Sequence, residues 1–523
     1  MDQYYILVIL LLILAAVDLV VGVSNDAVNF LNSAIGSKVA SRNVILVTAA
    51  FGILVGASFS SGMMSLPRTG IFNPEYFTFS DVMVIFMAVM ITDVILLDLY
   101  NSLGMPTSTT VSIIFELLGA AVATSALILF SKGEINSAEI FEMINHEKAV
   151  QVIVSIFLSV ALAFTIGAIV QWLSRLLFTF RGNRLRSYFS IVFGATAMTI
   201  IVYFLLIKGA KDAIFMTTDL KVVIKENAIL ISAYVFVIGL VISAISQKFW
   251  KYDPLKIVVL MGTFSLAMAF AGNDLVNFVG VPISGFQSYE IWKLSGVGAD
   301  QFLMKSLAID VAAPSTLLYI SGIIMVLTLW FSEKARRVTE TEVKLGAHGS
   351  VNEKFKPHKM AYALVSATER IANGVIDIIP RKWNTNVNWR FRLLADTNNN
   401  RPAFDLVRAS VNLMVASVLI AFASSLRLPL STTYVSFMVA MGTSLADRAW
   451  GSGSAPYRVA GVLNVIGGWF LTALGAFVGA GLIAVVIYFG GFWVTLLLFL
   501  IAFGLLIKSN FPKSYRRIIG KKS

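Results

Sequence analysis

The sequence predicts an all-α polytopic membrane protein built on inverted-topology repeats with broken or re-entrant helices, with about 11–13 membrane segments. Three observations carry that reading. Of 523 residues, 57% are apolar and 13% charged, with a mean hydropathy of +0.81; soluble domains carry about 25% charged residues. Apolar runs approaching the roughly 20 residues of a membrane helix recur near 4–23, 43–63, 81–100, 111–130, 150–178, 188–207, 227–246, 255–271, 306–331, 409–426, 434–446, 460–489 and 491–507. Finally, the word Asn-Asp-x-Val-Asn-Phe is written twice, as Asn25–Phe30 and Asn273–Phe278. Each copy is followed by a second shared word, Pro106-Thr107-Ser108-Thr109-Thr110 and Pro429-Leu430-Ser431-Thr432-Thr433.

The first run carries Asp2 where a signal peptide has a basic n-region, and its apolar stretch is too long for one, so it reads as a retained helix. Arg181, Arg184 and Arg186, then Lys248, Lys251 and Lys256, and above all the basic segment 331–407, mark cytoplasmic loops, whereas the acidic stretch 131–148 faces out. Counting crossings from these loops places the N-terminus outside and the C-terminus inside. The first Asn-Asp word is then entered from outside and the second from inside, an inverted repeat of 1–130 against 255–450. Residues 131–254 supply connecting helices, 331–407 is a cytoplasmic insert with a possible amphipathic helix over 360–379, and 451–523 holds the C-terminal helices and a basic tail. The net charge of +12 reads as topology signal, not as a nucleic-acid surface. There is no cysteine, which excludes disulfides and thiolate chemistry, and His146, His348 and His358 all fall in expected loops, away from any buried metal site or relay.

An aspartate in an apolar span is costly without a partner and is read first as functional. No Lys or Arg stands in the middle of an expected span; Arg175, Lys305, Arg408, Arg427, Arg448 and Arg458 lie at ends. Asp26 and Asp274 therefore need a mobile cation. Sodium suits carboxylates beside amide oxygens and the freed carbonyls of a broken helix, which makes Asn25, Asp26, Asn29, Asn273, Asp274 and Asn277 the candidate sodium ligands, with protons as the alternative. In the hydroxyl words, proline suits the first turn of a helix and Ser or Thr its cap. Such a helix start aims N–H groups, the positive dipole end and hydroxyls at an anion. Two of them could clamp a small tetraoxyanion between Ser108, Thr109, Thr110, Ser431, Thr432 and Thr433, flanked by Asn25, Asp26, Asn273 and Asp274. An anion beside two aspartates is repelled unless cations intervene, so neither ligand should bind well alone, as symport requires.

Glu116, two turns past the first hydroxyl word, is a possible extra ion or proton ligand. Asp18, Asp93, Asp98 and Asp310 are expected to bond to neighbouring helices or to lie near an interface. Gly467-Gly468 and the Gly475, Gly479 pair read as close helix packing.

At the duplicated words the chain resembles the PiT inorganic phosphate transporter family, whose hallmarks are a repeated Gly-Ala-Asn-Asp signature and a repeated Pro-x-Ser-Thr-Thr segment on inverted repeats. The resemblance spans about 1–130 and 255–490 and extends to the large basic loop. It implies inorganic phosphate as substrate, with sodium or protons as coupling ion, and assigns Asn25, Asp26, Asn273 and Asp274 to ions and phosphate and Ser108, Thr109, Thr110, Ser431, Thr432 and Thr433 to phosphate oxygens. It also implies a homodimer. The chain departs from the pattern at Val23-Ser24, which stand where Gly-Ala is usual, and at Val111 and Tyr434, where histidine commonly follows Ser-Thr-Thr. The reading is thus a sodium-coupled phosphate carrier of the plasma membrane working by alternating access, with no cofactor and no nucleic-acid partner. Proton-coupled phosphate or sulfate permeation is the near rival. A membrane enzyme acting on phosphate esters, the distant one, lacks a nucleophile, a base or a metal cluster; a channel would conduct without coupling.

Overall fold

The computed structural model describes residues 2–60, 64, 66–103, 107–133, 137–179, 186–208, 217–309, 313–346, 402–426, 428–449 and 455–510, with isolated positions between 359 and 391. Among them there is no strand, only the isolated bridges Phe72–Ile144 and Thr78–Leu303. The helices are α1 (Gln3–Asp26), α2 (Val28–Gly36), α3 (Arg42–Ala57), α4 (Phe79–Leu103), α5 (Thr109–Ser131), α6 (Ser137–Met143), α7 (His146–Leu177), α8 (Arg186–Val202), α9 (Thr218–Glu226), α10 (Ala228–Trp250), α11 (Pro254–Ser295), α12 (Ser315–Phe331), α13 (Glu333–Gly346), α14 (Leu406–Ser425), α15 (Thr432–Ala446) and α16 (Ala455–Asn510).

Their starts follow local chemistry. Asp2, Asp253 and Asp405 accept from the amides of Tyr4, Leu255 and Arg408 and so cap α1, α11 and α14, and Pro254 takes the first position of α11, where its missing N–H is no loss. Nine helices among the described residues are long and apolar enough to cross a membrane, or ten if the α12–α13 pair, bent by 69°, is one span. The expected runs 460–489 and 491–507 part where α16 is broken into two helices by the non-helical Gly491 (φ 61°, ψ −154°), and the runs behind α3 and α15 yield helices of only 16 and 15 residues.

The core sits where α1, α2, α4, α5, α11, α14 and α15 meet, while α10 turns large apolar side chains such as Ile229 and Tyr234 outward, as a lipid-facing helix does. Tyr4 donates to Ser80 at 3.1 Å and its ring meets Phe79 edge-on, so α1 and α4 start side by side and run parallel. Close helix approach rests on glycines at several seams. The backbone carbonyls of Phe264 and Met268 on α11 occupy the space a side chain would need at Gly52 and Gly56, four apart on α3. Of the glycines singled out in the sequence, Gly479 is tight, a Cβ there lying 3.0 Å from Thr92, whereas Gly467 has open space around it.

The expectation of a helix broken at each Asn-Asp word meets only a one-residue interruption at the first copy, inside a 34-residue helical stretch Gln3–Gly36. There α1 ends at Asp26 and α2 starts at Val28, with Ala27 still near helical geometry (φ −55°, ψ −27°). At the second copy α11 runs continuously through Asn273–Phe278. Side-chain donors satisfy both carboxylates, so no backbone needs to be unwound for them. The segment 331–407, expected as a cytoplasmic insert, begins as a helix. Its first turns form α13, whose buried residues Ala335, Val338, Thr339 and Glu342 share one helical face. Most of 360–379, together with His348, His358, Asp310 and Arg427, lies outside the described residues, and His146, expected in a loop, is the first residue of α7.

Candidate functional site

Both hydroxyl words start helices. Ser108 is the N-cap of α5, its Oγ accepting from the Val111 amide at 3.1 Å, and Ser431 does the same for α15 through the Tyr434 amide at 3.1 Å. The proline expected in the first turn is instead outside it: Pro429 stands two residues ahead of the cap, closing the extended lead-in, and Pro106 lies outside the described residues. Thr109, Thr110, Thr432 and Thr433 are thus first-turn residues, whose amides lack an intrahelical acceptor and carry the positive end of the dipole.

These four threonines converge on the two aspartates in a crossed pattern. Asp26 accepts from Thr109 at 2.9 Å and from Thr433 at 3.0 Å, and Asp274 accepts from Thr110 at 3.2 Å and, in a close contact, from Thr432. Each carboxylate therefore takes one hydroxyl from each word. The second asparagine of each Asn-Asp word reaches the hydroxyl word of the other half: Asn29 donates to Thr432 and Thr433 at 3.2 and 3.0 Å, and Asn277 to Thr110 at 2.9 Å and on to Asp274 at 3.2 Å. The first asparagine works as a tether. Asn25 accepts from the Thr107 amide at 2.9 Å, and Asn273 donates to the Leu430 carbonyl at 2.9 Å, so each holds the residue just ahead of a capping serine.

All ten predicted residues of the words, with Asn29 and Asn277, are buried here, with Asp26 and Asp274 fully so. Among the described residues no Lys, Arg or His bonds to either aspartate, and none holds three His, Cys, Asp or Glu side chains together in metal-ligand fashion. The two acids share the two hydroxyl words and neither is exposed on the outer surface. Ser108 and Ser431 are turned to their own helices, so the threonines make the contacts to the acids.

Residues that sequence reasoning did not single out complete the site. Asn101, at the end of α4, accepts from Asn25 at 2.7 Å and donates to the Val21 carbonyl at 2.7 Å; Ser436 donates to Asn29 at 3.1 Å. On the side of α13, Asn32, one turn past Asn29 on α2, donates to Glu342. An amide closing an apolar run was the available signal for Asn101; nothing local marked Glu342. Glu116 lies apart from this site, accepting from Ser112 at 2.8 Å. Asp98 behaves as expected of an acid near an interface, bonded to Lys334 at 2.6 Å. Asp18 and Asp93, on the neighbouring helices α1 and α4, meet each other, and Asp93 also meets Ser112 and Glu116 of α5.

Residues 22–342 match the sequence profile described as the phosphate transporter family, a stretch that takes in both Asn-Asp words and the first hydroxyl word. No curated protein sequence matches the chain. Among solved structures it is similar to one titled "The sodium-dependent phosphate transporter", with a TM-score of 0.62 at 15% identity over 92% of this chain and 99% of that one, a likeness of fold. The second hydroxyl word falls beyond the matched residues, yet the fold carries it onto the first. With more than half its length within the family profile and its spans apolar, this multi-pass membrane chain belongs to the phosphate transporter family, a carrier and not an enzyme.

Proposed function

We propose that the protein is a sodium-coupled phosphate symporter working by alternating access, with Asp26 and Asp274 taking sodium and the four threonines taking phosphate. The observation that carries this reading is the crossed pattern of hydroxyls on the two carboxylates, with no fixed positive charge in the site. A hydroxyl has one hydrogen to give. While Thr109, Thr110, Thr432 and Thr433 donate to the aspartates they cannot donate to an anion, and the aspartates repel one. Sodium at the carboxylate oxygens replaces those hydrogens and cancels the repulsion together. The freed hydroxyls, joined by the first-turn amides of α5 and α15, then face the phosphate oxygens, while Asn29 and Asn277 keep the threonine oxygens in place. Cation binding thus prepares the anion site, and by linkage the anion tightens the cations equally.

Loop charge supports the inverted orientation of the two halves, with the N-terminus outside, so that each hydroxyl word would open to one side. A burial of every site residue below solvent reach fits an occluded intermediate of such a cycle. Uptake of labelled phosphate into proteoliposomes tests the proposal. It is expected to require an inward sodium gradient and to persist when the proton gradient is collapsed; uptake indifferent to sodium overturns the sodium coupling.

A further inference from the structure

A cavity of about 600 Å³ opens at the end of the bundle where α1 and α4 start and α5 ends, the end that loop charge assigns to the outside. It is walled by α1, α4, α5 and both limbs of α16, which part at Gly491. Its mouth holds three charges fixed by the backbone. Asp81 stands in the first turn of α4. Asp300 is brought to the same mouth by a loop stitched to that turn, the Ser80 amide donating to the Ala299 carbonyl at 3.2 Å and the Phe79 amide to the Phe302 carbonyl at 2.9 Å. Lys132 closes α5 as its C-cap. Asp81 accepts from the Thr78 amide and hydroxyl, at 2.9 and 2.6 Å, through a single carboxylate oxygen. Its other oxygen takes no bond among the described residues, and there neither Asp300 nor Lys132 has an ion partner.

Below the mouth the lining turns apolar on every wall. Leu7 lies three residues past Tyr4 on α1, Val84 and Met87 three and six past Asp81 on α4, and Ile128 four before Lys132 on α5, which sets them about 5 to 9 Å deeper at 1.5 Å per residue. Ile487 and Phe492 close the side on α16. The level of this change is marked independently. Phe79 stacks on Trp292 at 4.5 Å, and Tyr4 meets the two rings edge-on at 5.0 and 5.2 Å, an aromatic girdle of the kind that sits at a membrane–water boundary. The charged mouth is thus at headgroup level and the apolar floor at the level of acyl chains. Gly491 holds backbone angles that glycine alone adopts freely, and a Cβ there would meet nothing within 4 Å. The break in α16 therefore leaves the gap unfilled, and Phe489 and Trp493 on either side of it are 72% and 76% exposed.

We propose that this cavity binds a phospholipid with a primary-amine headgroup, its ammonium held by Asp81 and Asp300, its phosphate by Lys132, and the start of one acyl chain by the apolar floor. Charge and hydrogen-bond count choose the occupant. Two carboxylates beside one ammonium match a zwitterion whose cationic end can donate. A choline headgroup has no N–H to give, and an anionic lipid brings its net negative charge to two acids. The volume lies within the about 300–1,000 Å³ of ordinary ligand pockets and has room for a headgroup and the first carbons of a chain, the remainder running along the exposed Phe489 and Trp493. The site shares no residue with the Asp26–Asp274 core, and the inference stands whatever the cargo.

The test is equilibrium binding of radiolabelled dioleoyl-phosphatidylethanolamine to the delipidated full-length chain in detergent, with the unlabelled ethanolamine, choline and glycerol phospholipids of the same chains as competitors. It is made on the wild type, on Lys132→Met and Asp300→Asn, both at exposed positions, and on Val84→Trp, which fills the apolar floor. The ethanolamine lipid is expected to saturate and to compete about tenfold better than the other two, and K132M and D300N each to weaken it about tenfold, the worth of one hydrogen bond to a charged group. V84W is expected to remove the saturable component. Equal competition by all three lipids, with binding unchanged in K132M and D300N, overturns the proposal and leaves only lipid of the surrounding annulus. Preference for the anionic glycerol lipid overturns it as well, and loss in V84W alone assigns the cavity to an apolar guest. Should V84W fail to fold, photocrosslinking of the wild type with a diazirine-bearing ethanolamine lipid decides the matter: label within 83–87 or 487–492 supports the site, and label only elsewhere refutes it.

Discussion

Two buried acidic regions of this protein are built on opposite plans. At one end of α7, Arg175 lies between Asp405 and Asp447: Nη1 reaches Asp405 at 2.8 Å, Nη2 reaches Asp447 at 2.7 Å, and Arg408 adds a bond to Asp447 at 2.9 Å. Gln171 joins at 2.8 Å. That network pins α7 to the start of α14 and the end of α15, and its charges cancel within the chain. At the core Asp26 and Asp274 are as buried as Asp447 but are met by hydroxyls and amides. Fixed cations make an acid a fastener, whereas neutral donors leave its charge to be answered by something that arrives and departs.

The largest effect that would sharpen this contrast is Arg175→Ala. Removing one partner of a buried ion network strands its acids at a cost of about 3–5 kcal/mol, so thermal unfolding in detergent should show a marked loss, with poor yield. The same network gives a pH signature. Burial alone would raise the Asp405 carboxyl, but Arg175 and then Arg408 pull it down to about 2, below the ordinary value near 3.9. With the folded value the lower one, its contribution is fully present above about pH 4 and is lost as pH falls through about 2. Acid unfolding followed by intrinsic fluorescence should therefore begin at higher pH in the Arg175 variant than in wild type.

Next in size, Asp26→Asn and Asp274→Asn should lower sodium-dependent phosphate uptake by on the order of 10- to 100-fold, the worth of losing charge-assisted contacts, while thermal stability stays level or rises. An Asn substitution that unfolds the protein as Arg175→Ala does would erase the distinction between the two regions. Smaller again, Thr109→Val or Thr433→Val removes one hydroxyl at nearly constant volume. Uptake should fall about five- to tenfold, consistent with roughly 1–1.5 kcal/mol per hydrogen bond, with Ser at the same position restoring it. Smallest is Ser108→Ala, which removes a helix cap worth about 1 kcal/mol and should show as a modest drop in unfolding temperature with uptake largely kept.

The core was legible because its signal was a repeated word. Duplication of Asn-Asp and of Ser-Thr-Thr marked twelve positions that the fold brings to one buried place, and the absence of a basic residue within the expected spans could be seen by eye. What the sequence could not convey was pairing across the chain. Nothing local says that Asn29 serves Thr432 and Thr433, more than four hundred residues away, or that Asn273 is satisfied by Leu430 so that α11 need not unwind. Asp18 and Asp93 bond to neighbouring helices, as a buried acid is expected to; only the packing of α1, α4 and α5 shows that their neighbours are acids as well. Gly491 turns the backbone between two helices at the place where the apolar runs 460–489 and 491–507 part.

The sharp turn between α12 and α13 lays α13 against α1 and α2. Through Glu342 it grips Asn32, a single coil of α2 away from the amide that orients Thr432 and Thr433. Any tug on α13 is thereby delivered to the hydroxyls that meet the two acids, a lever that acts on the core from outside it.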